Sequence, residues 1–215
     1  LLLSTDNGMG FERRISYGTS AAHYLRDRAE GRPWRNCLPN HVVTVDRLEV
    51  IDRIADARLL NRYLYHDGSY DGKTRRFIGF GCTDIYDQAS EGEAAGVPAE
   101  SATAPSCMRL FLHLGAEGTP SLARAWRDDP QAPTLAPLVI EGTPALDAEE
   151  AAAVDFAVAG QVVREEVFGV ESDGTLAPVP FRVAQAGFVA RRLQRVRPGR
   201  PPVFALWQRE SLTIH

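Results

Sequence analysis

The chain has 215 residues, 44% of them hydrophobic, which is enough for one large domain or two small ones with a packed core. Its formal net charge of -4, mixed along the sequence, excludes a general polyanion binder, so nucleic acid is not an expected partner. Cys37, Cys82 and Cys107 lack Cys-x-x-Cys spacing and exclude a disulfide framework or zinc knuckle, and no run approaches the roughly 20 apolar residues of a membrane span.

Leu1 to Leu3 is too short for a signal-peptide core, and the chain opens in mid-pattern without methionine, as a piece of something longer would. Asn7, Gly8 and Gly10 read as a Gly-rich turn; Arg13 stands where a phosphate loop would need its third glycine. Phe11, Arg13, Ile15 and Tyr17 then alternate with Glu12, Arg14 and Ser16, the pattern of a strand. Residues 20–30 have helical character, with Ser20 as cap, Tyr24 and Leu25 on one side and Gly31 as the stop.

From 41 to 51 the apolar set begins as Val43 and Val45 and changes parity to Leu48 and Val50, the mark of a bulge. A turn at Ala55, Asp56 and Ala57 returns the chain along 58–66, two Asp/His-Gly turns follow over 66–72, and 73–86 forms a third strand. This first part, 1–87, is expected to be a β-meander. Residues 88–106, rich in Ala, Glu, Gly, Ser and Pro, are expected to form a flexible loop.

The second β-rich part, 107–215, opens with a compact apolar strand at 107–114. Pro120, Pro130, Pro133, Pro137 and Pro144 predict irregular structure over 117–144. The strongest helix is at 147–159, with Asp147 and Glu150 as a capping-box pair. Beyond Gly160, strands are expected at 161–170 and 180–184, and a further pair at 188–196 and 202–214. Trp207 falls in an apolar run and is expected in the core. The fold class is thus mainly β, long antiparallel hairpins and meanders with one or two short helices.

Chemistry is sparse. His66, Asp67 and Asp71 could hold a divalent cation, but the spacing lacks the alternating ligands and late glutamate of a calcium loop, and Asp-Gly is common turn chemistry. His23, His41, His66, His113 and His215 have no metal-ligand spacing; His113, in an apolar strand, reads as a hydrogen-bonded core residue. Glu165 and Glu166 point to opposite faces of a strand and cannot form an acid/base pair. Arg191, Arg192, Arg195, Arg197 and Arg200 form the one basic cluster, read as an exposed strand rim guarded against edge pairing, with a phosphate or an acidic partner surface as the other reading. The sequence names no catalytic residue, metal site or cofactor.

Residues 63–81 read Tyr-Leu-Tyr-His-Asp-Gly-Ser-Tyr-Asp-Gly, then Lys-Thr-Arg-Arg-Phe-Ile-Gly-Phe-Gly. This stretch resembles the signature of the middle region of the B component of bacterial insecticidal Tc toxins, a TcdB-like region related to SpvB-type proteins. Tyr65, His66, Gly68, Tyr70, Asp71, Gly72, Arg75, Phe77, Gly79, Phe80 and Gly81 match it. Asp67 stands where a second histidine is usual, and Arg76 where an acidic residue is usual. The resemblance extends to Tyr24-Leu25-Arg26-Asp27, Trp34, Phe111-Leu112-His113, Gly160 and Glu210-Ser211-Leu212, and 62–67 is similar to one loose copy of the Rhs repeat.

The resemblance implies a non-enzymatic structural segment, a piece of a larger β-shell that encloses and delivers a toxic effector, with the 65–81 motif structural. Implied partners are other parts of the parent toxin: a β-propeller, an Rhs shell, a C component and a pore-forming A component. The implied location is secreted, as part of a toxin complex made in the bacterial cytoplasm. The residues leave two rivals open: a secreted β-sandwich module binding a ligand or carbohydrate at the 66–72 turn, and a small hydrolase.

Overall fold

The structure, a computed structural model, describes residues 1–89, 105–115, 134–142 and 145–215. Its strands are β1 (Ser4–Asp6), β2 (Phe11–Thr19), β3 (Val43–Asp52), β4 (Ala57–Asp71), β5 (Arg76–Ala89), β6 (Ser106–Leu112), β7 (Leu138–Glu141), β8 (Val162–Gly169), β9 (Arg182–Gln194) and β10 (Val203–Ile214), with helices α1 (Ser20–Ala29) and α2 (Ala148–Val158). All ten strands lie in one sheet, ordered β1-β2-β3-β4-β5-β6-β8-β9-β10, with β7 on β9. Every pairing is antiparallel except that of β7, so the chain is mainly β, as the alternating patterns require. Most of the expected 88–106 loop lies outside the described residues.

The parity change in β3 is a true bulge. Ser16 pairs Arg47 while Tyr17 pairs Val45, leaving Asp46 as the extra residue. Its carboxylate occupies the space above Gly18, where a Cβ would sit 2.0 Å from Asp46 Oδ2.

The double turn at 66–72 is corrected. β4 runs straight through His66, Asp67 and Gly68 to Asp71, and only 72–75 turn the chain. Asp71 holds that turn, accepting from Lys73 N–H at 2.8 Å and Thr74 Oγ1 at 2.6 Å. Asp67 takes a left-handed φ of 53° inside the strand, a conformation a short polar side chain tolerates because a partner fixes it.

In the second part, α2 carries the predicted capping box, with Asp147 accepting from Glu149 and Glu150 and Glu150 accepting from the Asp147 N–H. The expected strands at 180–184 and 188–196 are one strand, β9, because Gly187 lies opposite a bulge at Arg209 in β10 instead of breaking the ladder. The prolines of 117–144 do not exclude a strand: β7 forms just past Pro137 and takes over from β8 along the same edge of β9, β8 pairing 182–185 and β7 pairing 188–191.

Val163 and Phe188 centre the apolar core, with Phe111, Leu138, Ala186 and Leu206 around them. Trp207 is not in it. It is 41% exposed, although its cross-strand partner Val189 is buried.

Candidate functional site

The densest chemistry lies where α1 meets the β4–β5 hairpin. Thr19 caps α1, and the face turned to the sheet carries Ser20, His23 and Asp27, all buried, while Leu25 points to solvent. This inverts the usual amphipathic pattern, in which the apolar stripe faces inward. A buried carboxylate is tolerable only when its oxygens are fully bonded. Asp27 Oδ1 accepts from Arg26 Nε at 3.1 Å and Nη2 at 2.7 Å, and Oδ2 accepts from Trp34 Nε1 at 2.7 Å and His66 Nδ1 at 2.8 Å. Burial pushes the Asp27 carboxyl up, but the Trp34 and Arg26 bonds outweigh it and hold the group below its ordinary value.

The chain of charges continues across the sheet. His66 Nε2 lies 3.5 Å from Asp84 Oδ2, an ion-pair distance, and Arg109 clasps Asp84 through Nε at 2.7 Å and Nη2 at 2.8 Å. Asp84 is buried, which alone would raise its carboxyl; the Arg109 bonds and then His66 reverse this and hold it far below the usual range. The same pairing raises the Arg109 guanidinium.

A second branch runs outward from Arg26, which donates from Nη1 to His23 Nδ1 at 2.9 Å. His23 therefore donates from Nε2 to Asp46 Oδ1 at 3.1 Å, and burial lowers its pKa, consistent with a neutral ring. The bulge residue Asp46 thus ties β3 to α1.

Aromatic packing locks this network in place. Trp34 meets Tyr24 and Phe80 edge-on at 5.5 and 6.0 Å, and Phe80 meets Tyr65 at 4.7 Å and Phe77 at 5.2 Å. Gly68 is the seat of the indole: a Cβ there would lie 2.6 Å from Trp34 Cζ3. Asp67 faces the other way and accepts from Arg35 N–H at 3.1 Å and Arg35 Nε at 2.7 Å.

The predicted motif residues therefore divide. Tyr65, His66, Asp67, Gly68 and Phe80 meet around Trp34, whereas Asp71 and Gly72 belong to the hairpin tip. Tyr70 is half-buried and pairs Phe77 across the strands; Gly79 takes φ 150° beside a bulge at Ile78, and Gly81 packs under Leu114. Asp67 and Asp71 do not converge. Among the described residues no group of three or more His, Cys, Asp or Glu is placed to hold a metal ion.

Arg26 and Asp27 entered only as part of the resemblance over 24–27, with no role given, and Asp84 and Arg109 were not singled out at all. The one signal for them was a charged residue at helical spacing opposite an exposed leucine.

A cleft of about 320 Å³ opens beside the network, lined by Trp34, His66, Cys82, Arg109 and Phe111 among others. It brings together a cysteine, a histidine and an aspartate, yet the chemistry does not suit a nucleophile. Burial drives the Cys82 thiol up, and Asp84 at 4.0 Å raises it further, so the thiolate is suppressed. His66 turns Nδ1 to Asp27 and Nε2 to Asp84, an imidazole clamped between two carboxylates.

His113 is the hydrogen-bonded core residue expected, accepting from Gly115 N–H at 3.0 Å through Nδ1, with its pKa lowered by burial to about 4. Glu165 and Glu166 separate as expected, Glu165 pairing Arg182 and Glu166 pairing buried Arg164 at 2.8 Å.

Residues 1–103 match the family model described as the insecticide toxin TcdB middle/N-terminal region. The crystal structure of TcdB2-TccC3 resembles this chain with 25% identity and a TM-score of 0.77, over 100% of this chain and 11% of that one. The crystal structure of TcdB2-TccC3-TEV gives 26% identity and a TM-score of 0.78, over 100% and 10%. The Photorhabdus luminescens Tc holotoxin pore gives 25% and 0.75, over 100% and 10%. A search of curated proteins gives no match. The chain thus spans about a tenth of the length of the solved chains it matches. The first 103 residues are similar to the TcdB middle/N-terminal region, and the fold is similar from end to end to part of the TcdB2-TccC3 structures.

Proposed function

We propose that this segment is non-enzymatic wall material: part of the shell with which a Tc-type B subunit encloses and delivers a toxic effector. The observation that carries this reading is the single ten-stranded sheet, which runs without interruption from β5 to β6 and so joins the two parts, 1–87 and 107–215, into one surface. Its neighbours in this reading are the other parts of the parent toxin, a β-propeller and an Rhs shell, with a C component and a pore-forming A component beyond, in a secreted complex. The 65–81 motif acts as a clasp that fixes α1 and the Trp34 segment to the hairpin, and the suppressed Cys82 thiol supports a role without catalysis.

The test uses the assembled B–C complex and limited proteolysis of the enclosed effector. The effector should be protected in the unaltered complex and cut early when the clasp is opened by Asp27→Ala, while the free effector keeps its activity. Protection that survives loss of the clasp would count against the wall, as would ester or peptide hydrolysis by this chain that disappears in His66→Ala. For the binding-module rival, saturable calcium uptake lost in Asp71→Asn would favour the module over the wall.

A further inference from the structure

The basic cluster of the sequence is divided by the fold. Arg192 turns inward and donates from Nη1 to both Glu150 oxygens, at 3.1 and 2.9 Å, which corrects its reading as an exposed rim residue. Arg191 lies on the opposite face of the ribbon, and a bulge at Leu193 interrupts the alternation before Arg195. With Arg197 and Arg200 at the hairpin turn they are exposed, and none of the four has an ion pair or side-chain hydrogen bond among the described residues.

Between 183 and 209 the chain carries six arginines and no Lys, Asp or Glu, in a protein whose net charge is -4. The hairpin also exposes large apolar side chains: Leu193, Val203 and Trp207 are 65%, 43% and 41% exposed. The register sets Arg191 against Ala205 and Val189 against Trp207, so Arg191 and Trp207 lie on one face, both exposed, with Val189 buried beside them.

We propose that this face docks a protein segment that presents carboxylates around an apolar contact. A rim that only guards a strand edge needs charge, and an uncovered tryptophan between leucine and valine would work against it. Tryptophan with arginine is the composition of interface centres, where planar guanidinium forks pair carboxylates around an apolar anchor. A row of stacked bases would need several aromatic platforms, and this face has one. An extended polyanion or an anionic bilayer would also meet the acidic remainder of the chain, whereas a protein segment meets the arginines alone. The surface is a property of this hairpin and stands whether or not the wall reading does.

The experiment titrates the 215-residue chain into a labelled synthetic peptide that alternates Glu with Leu, read by anisotropy and by Trp emission. Saturable binding with a blue shift is expected, weakened roughly tenfold or more by Arg191→Glu with Arg195→Glu and by Trp207→Ala. Arg28→Glu, an exposed charge on α1, should leave it unchanged. If the double variant does not fold, Trp207→Ala alone carries the decision. The proposal is overturned if the peptide does not bind or if the hairpin variants bind it as well as the parent. It is also overturned if polyglutamate, single-stranded DNA or phosphatidylserine vesicles bind more tightly than the peptide.

Discussion

Between β2 and β5 the most buried side chains include Asp27, His66 and Asp84, joined in one polar network, whereas between β6 and β10 an apolar cluster centred on Val163 and Phe188 lies in the same region as the buried Arg164–Glu166 pair. Both regions belong to one sheet. Directional bonds specify a geometry, since each donor has one acceptor at one angle; apolar contact specifies a volume and tolerates rearrangement. The first region therefore fixes α1 and Trp34 in a single pose, and the second supplies the bulk stability of the ribbon.

The largest expected effect breaks the first region at its centre. Asp27→Ala leaves Trp34 Nε1 and His66 Nδ1 without their acceptor and Arg26 without its carboxylate, and should cost about 3–5 kcal/mol in urea unfolding. Acid should then separate the two regions. His113 at the end of β6 has its pKa lowered from 6.5 to about 4, so the unfolded chain takes up a proton that the folded chain refuses. Stability should fall as pH drops from 6.5 to about 4, by about 3 kcal/mol, and His113→Leu should flatten that slope.

Asp84 behaves differently, because its carboxyl is held below its ordinary 3.8. Its contribution is fully present above that value and is lost only as pH falls further, so the Asp84–Arg109 pair should outlast the His113 step, while His23, whose pKa burial also lowers, should weaken the α1 branch earlier. Tyr65 fluorescence and amide exchange in α1 would follow it.

Gly68→Ala should cost about 1–3 kcal/mol by displacing the Trp34 ring, visible as a red shift in Trp emission. Phe188→Leu, a comparable change in the apolar region, should cost under about 1.5 kcal/mol. Equal penalties for these two substitutions would erase the distinction between the regions.

Much of the fold was legible because backbone patterns are local. The Asp46 bulge showed as a parity change, the α2 capping box as Asp147 with Glu150, and the meander as alternation. The clasp was not legible, since its partners are far apart in sequence: Asp27 meets His66, and Asp84 meets Arg109, only after β4, β5 and β6 have paired. Helix rules also pointed the wrong way, expecting Leu25 rather than Asp27 to face inward. The 66–68 segment looked like a turn because Asp-Gly usually is one; here Gly68 makes room for an indole and Asp67 binds Arg35. Trp207 followed composition into an expected core, yet it is 41% exposed while its cross-strand partner Val189 is buried.

β6 and β8 are bonded directly to each other, although residues 113–161 separate them in the chain. Within that interval the described residues return to the sheet twice, through the four-residue peg Leu138–Glu141 against β9 and through α2, whose Val154 and Val158 are buried and whose Glu150 holds Arg192. The seam between β6 and β8 is therefore closed by partners distant in the chain, and it forms only after α2 and the peg have found their places.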